Sequence, residues 1–100
     1  MKIPEKYIYD LRIVFYSFYR LSEDELFGQI PEDYMDHFML YGHYTTKKLT
    51  RYYDALKWVA ANPDADLGEI DTSLPHSDDK LRLFARNFQT EMEKYRWDRA

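Results

Sequence analysis

The chain is expected to fold as an all-α bundle of four main helices, at about 5–21, 31–41, 46–61 and 78–97, with a short helical turn near 23–28. Three observations lead there. Apolar residues recur at three- and four-residue spacing within each stretch, the period of a helix with one buried face. Pro, Ser or Thr stands at or just before the start of most of them, as helix starts favour. Only the apolar run at 13–18 suggests a strand, and its flanks read as helix. One hundred residues is the size of one domain, so 1–100 is taken as a single helical unit.

Pro4 opens the first helix, where its missing N–H would be unpaired in any case. At about 100° per residue, Tyr7, Ile8, Leu11, Val14, Phe15, Phe18 and Tyr19 form one wide apolar face. Tyr9, Ile13 and Tyr16 fall on the other side, with Arg20 beside them. A helix apolar nearly all round is buried by its own domain or by a partner. It is therefore expected at the centre of the bundle. Asp10, Arg12 and Arg20 interrupt it too often for a membrane span.

Ser22 and Glu25 have capping-box spacing, and Gly28 closes the short turn they start. Pro31, Glu32 and Asp33 begin the 31–41 helix, in which Tyr34, Met35, Phe38, Met39 and Tyr41 keep helical spacing. Gly42 is expected to end it in the left-handed conformation. Thr45 or Thr46 caps the 46–61 helix, whose stripe is Leu49, Tyr52, Tyr53, Leu56, Val59 and Ala60. Asn62 and Pro63 stop it. Residues 63–76 show no helical period and form the longest loop, with Leu67, Ile70 and Leu74 as its anchors. Ser77 caps the last helix, and Arg96 and Arg99 lie near its end, where positive charge is favoured.

Composition narrows the function classes. Ten Tyr and six Phe let a small core fill with large side chains, and no Cys is present for disulfides or thiolate chemistry. No signal or transit peptide is readable, because Pro4, Glu5 and Asp10 break any apolar leader; a cytoplasmic, non-membrane protein is expected. The net charge is −4, and acids concentrate at 22–45 and 62–79, where no Lys or Arg occurs. Helix starts and loops account for acids there. A surface aimed at a basic protein partner is the sharper reading, and Asp64, Asp66, Glu69 and Asp71 in the long loop are its candidates.

Catalytic signals are missing from the sequence. The glycines are isolated, no GxxxxGK or GxSxG run exists, and the loop acids lack a cleft to perturb them. Asp33, His37 and His43 could approach one another, but the spacing of a zinc site is absent. No enzyme activity, metal or cofactor is expected. Two binding readings remain. In the leading one, a protein partner meets Trp58 with Lys47, Arg51 and Asp54, which lie opposite the apolar stripe of the 46–61 helix. Trp58 is then expected to be exposed, the alternative being burial beneath the 63–76 loop against Leu67 or Ile70. Tyr9, Ile13 and Tyr16 make a second candidate surface, for a partner or a homodimer seam. The alternative function is nucleic-acid binding through the basic helices at 46–61 and 78–97, which carry Lys47, Lys48, Arg51, Lys80, Arg82 and Arg86. An acidic chain argues against it. In size and charge alone, without any shared motif, the chain is similar to toxin-immunity proteins, antitoxins and phage-encoded inhibitors of host enzymes. The likeness implies a non-catalytic protein that modulates or inhibits another macromolecule.

Overall fold

In the computed structural model, which describes residues 2–42 and 44–95, helices begin where the sequence supplies a start signal. Pro4 precedes α1 (Glu5–Phe15). Ser22 and Glu25 form both bonds of the capping box at α2 (Glu23–Phe27). Pro31 precedes α3 (Glu32–Asp36). Thr45 Oγ1 accepts the Lys48 amide at α4 (Thr46–Ala61), and Ser77 Oγ accepts the Lys80 amide at α5 (Asp78–Met92). These caps satisfy amides that the helix itself leaves unpaired. No strand occurs among the described residues, and none of their helices is long and apolar enough to cross a membrane. The all-helical expectation holds.

α4 packs along both α1 and α5. Of its expected stripe, Leu49, Tyr52, Leu56 and Val59 are buried, Tyr53 is half-buried and Ala60 is exposed. Rings carry the core outward from α1. Phe15 meets Phe84 edge-on at 5.3 Å, Phe84 contacts Phe88, and Phe88 meets Phe38 edge-on at 5.1 Å. Phe38 in turn touches Tyr44 at 4.9 Å. A continuous aromatic path therefore links the centre of the molecule to its surface beside α1.

Five details of the expected helices are corrected. α1 is buried on one face only: Leu11, Val14 and Phe15 are inside, whereas Tyr9, Tyr16 and Tyr19 are more than half exposed. Its α-helical pitch stops at Phe15 and tightens to a 3₁₀ turn at Tyr16–Tyr19. The buried Ser17 hydroxyl bonds back to the Val14 carbonyl at 2.8 Å, a competing local bond that suits the tighter turn. α3 widens at His37–Tyr41 into a π turn. Gly42 ends that turn in an extended conformation, φ −72° and ψ 166°, not a left-handed one. Glycine is needed there for space: a Cβ would lie 3.0 Å from the carbonyl oxygens of His37 and Phe38. α5 ends at Met92; Arg96 and Arg99, like His43, lie outside the described residues.

The 63–76 loop is pinned as its apolar residues imply. Leu67 and Ile70 are fully buried, and Leu74 is half-buried. Polar ties hold the backbone as well. Arg82 donates to the carbonyls of Val59 and Ala65, Arg12 to that of Ile70, and Asp78 accepts the Leu67 amide. A 3₁₀ turn at Leu67–Glu69 gives the loop structure that its sequence period did not reveal.

Candidate functional site

The Trp58 face is partly closed by the protein itself. Tyr7 of α1 covers the indole with ring centroids 5.8 Å apart, so Trp58 is partly buried and the expectation of an exposed Trp58 is overturned. The loop is not what covers it in that contact. Tyr7 meets Trp58 while Asp10 meets Arg51, so α1 runs antiparallel along this side of α4. Ala55, fully buried between them in sequence, has no bulk to keep α1 away. Arg51 pairs with Asp10 at 2.9 Å, and Asp10 is almost fully buried while Arg51 is half-exposed. Asp54 pairs with Lys57 at 3.5 Å in solvent, a contact of little energy. Of the four residues, Lys47 alone is both exposed and without a bonded partner among the described residues.

The loop acids are also largely used internally. Asp66 accepts the Gly68 amide and caps the 3₁₀ turn. Asp71 accepts from the Ser73 amide, the Ser73 hydroxyl and the Tyr19 hydroxyl. The Ser73 and Tyr19 bonds hold its carboxyl below the usual carboxylate range. Glu69 is half-buried, and Asp64 lies exposed just after α4. Two of the four acids, Asp66 and Asp71, thus serve the loop's own turns.

The Tyr9, Ile13 and Tyr16 side of α1 is different. These residues are spaced four and three apart, so they line one face of the helix. Tyr9 is 63% and Tyr16 55% exposed, with Ile13 half-buried between them. Beside them lies a groove of about 500 Å³ lined by Ile13, Tyr16, Arg20, Tyr34, His37, Phe38, Gly42 and Tyr44. α1 and its 3₁₀ turn form one wall, and the π turn of α3 forms the other. The Tyr34 hydroxyl lies 2.8 Å from Ser17 Oγ, which ties the walls together. Phe38 gives the groove an apolar floor braced on the core through Phe88.

Burial raises the Tyr34 phenol, with the Ser17 hydrogen bond opposing, and burial raises that of Tyr44 too. Both stay protonated at neutral pH and can donate or accept hydrogen bonds. Among the described lining residues Arg20 supplies the one permanent charge. An apolar floor, tyrosine hydroxyls and a guanidinium suit binding. Sequence reasoning had Tyr9, Ile13, Tyr16 and Arg20 on one side of α1, but placed Tyr34 and Phe38 only in an apolar stripe. No local signal joins segments so far apart in the chain.

Several bases proposed for nucleic acid are engaged elsewhere. Arg51 serves Asp10, and Arg82 serves Asp78 and two carbonyls. Lys80 lies 4.8 Å from the centre of the Phe27 ring. Lys47, Lys48 and Arg86 are exposed. Among the described residues no three His, Cys, Asp or Glu side chains gather as metal ligands; His43 lies outside them. Comparison with protein families, with curated proteins and with solved structures finds no match to this chain.

Proposed function

We propose that this is a non-catalytic binding protein that modulates or inhibits another macromolecule, and that a protein partner docks on the Tyr9–Tyr16 side of α1 and the groove beside it. The observation that carries the reading is the exposure of Tyr9 and Tyr16 next to a groove floored by Phe38. Tyrosine offers large, rigid contact area with a polar tip, which is why it is enriched where proteins bind one another. Leu40 and Tyr41, exposed on the π turn, add apolar surface to the α3 segment. The cysteine-free chain fits a reducing compartment, and the cytoplasm is the compartment we assign.

The test is affinity capture with mass spectrometry, comparing the wild-type chain, a Tyr9→Ala/Tyr16→Ala variant and a Trp58→Ala variant. The double variant should lose the partner by about 2 kcal/mol or more, the loss expected of interface anchors. Retention of the partner by that variant, with loss in Trp58→Ala, would return the site to α4.

A further inference from the structure

We propose that the groove takes an acidic peptide segment of another protein, one apolar or aromatic side chain entering over Phe38 while a carboxylate of the same segment pairs with Arg20. The inference rests on the binding reading above and adds the chemistry of the partner. Charge carries it. The chain is acidic, with 18 acids against 14 bases, yet among the described residues no carboxylate lines this groove. Among the described residues Arg20 makes no ion pair and no side-chain hydrogen bond, whereas Arg12, Arg51 and Arg82 each donate to acceptors in the protein.

A guanidinium beside an apolar floor matches a carboxylate bidentately and is less strongly hydrated than an ammonium. Tyr44 leads directly into α4, whose first turn exposes Lys47 and Lys48 at the positive end of the helix dipole. Asp36, close in sequence to the α3 wall, is already engaged by the Tyr95 hydroxyl.

Extent argues for a peptide over a small acid. Tyr9 to Tyr16 is about 10 Å along α1 at the helical rise per residue, and that strip adjoins the groove. One lining guanidinium is too few for a nucleic-acid backbone, which needs a charged track.

The test is display selection of a random 12-residue peptide library on the immobilised full chain, with Arg20→Glu as the counter-selection and melting curves to confirm that the variant is folded. The wild type should enrich peptides pairing an apolar or aromatic residue with Asp or Glu. A synthetic copy of one such peptide should shift the amide resonances of Ile13, Tyr16, Phe38 and Tyr44, and bind Arg20→Gln at least tenfold more weakly. Groove-binding peptides without carboxylate enrichment would sink this inference and leave the docking surface intact. Peptides that shift the Trp58 and Lys47 resonances instead, or a selection that enriches nothing, would sink both. Groove shifts caused by a dT12 oligonucleotide at physiological salt would reassign the groove to nucleic acid. Concentration-dependent dimerisation abolished by Arg20→Glu would reassign it to a second copy of the chain.

Discussion

Two helix faces offer large aromatic residues beside polar ones, and the fold treats them in opposite ways. On α4 the side carrying Arg51 and Trp58 is met by α1: Tyr7 covers Trp58, and the buried Asp10 holds Arg51. On α1 the side carrying Tyr9 and Tyr16 stays open, more than half of each ring in solvent. The α4 face looked like the surface because its neighbours are charged. The apolar α1 face left two readings open in the sequence, core beneath a further helix or a surface for a partner. Polarity of one helix side does not say which helix packs there.

The inner face of α1 sets the scale for testing this contrast. Phe15→Ala should cost about 3–5 kcal/mol in urea unfolding, because it empties a site 1% exposed and braced on Phe84. Trp58→Ala should cost about 2 kcal/mol, less than full burial gives but well beyond a surface change. A cost near zero would return Trp58 to the open class. Tyr52, on the closed side, tests the interior by pH. Burial raises its phenol to about 12. The unfolded chain ionises near 10, so this contribution is complete below pH 10 and is lost as pH rises toward about 12. A rise from near 10 to about 12 corresponds to a loss of about 2–3 kcal/mol over that window, and Tyr52→Phe should flatten the decline.

Gly42→Ala should cost about 1 kcal/mol, since the added methyl crowds two carbonyl oxygens and one of them must shift. The smallest effects belong to the open face. Tyr9→Ala and Tyr16→Ala should each leave unfolding within about 0.5 kcal/mol of wild type. A larger loss from either would mean that the face is packed in solution and would erase the contrast.

Local signals made the helices legible. Ser22 with Glu25, Thr45 and Ser77 all cap as their spacing implies, and four of the six residues of the 46–61 stripe, Leu49, Tyr52, Leu56 and Val59, are buried as its period implies. What stayed hidden depends on contacts between distant segments. The groove needs Ile13 and Tyr16 of one segment against Tyr34, Phe38 and Tyr44 of another, and helical periodicity says nothing about such neighbours. The change of pitch after Phe15 was hidden because periodicity does not report the bond of the Ser17 hydroxyl to the Val14 carbonyl. The acidic loop shows the converse. Its charge was plain, but Asp66 and Asp71 turned out to spend that charge on nearby backbone amides.

The π turn at His37–Tyr41 has a consequence for chain length. A π turn holds one residue more than the α-helical turn it replaces, so one wall of the groove stores a spare residue. An insertion or deletion inside α4 would rotate every later side chain by about 100° and turn the buried stripe toward water. Deleting Leu40, which is 59% exposed, should instead let the segment wind as ordinary α-helix and draw Gly42 and Tyr44 inward. Chains that share this fold are therefore expected to differ by single residues at 37–42 and not within 46–61, so that the depth of the groove varies while the core keeps its register.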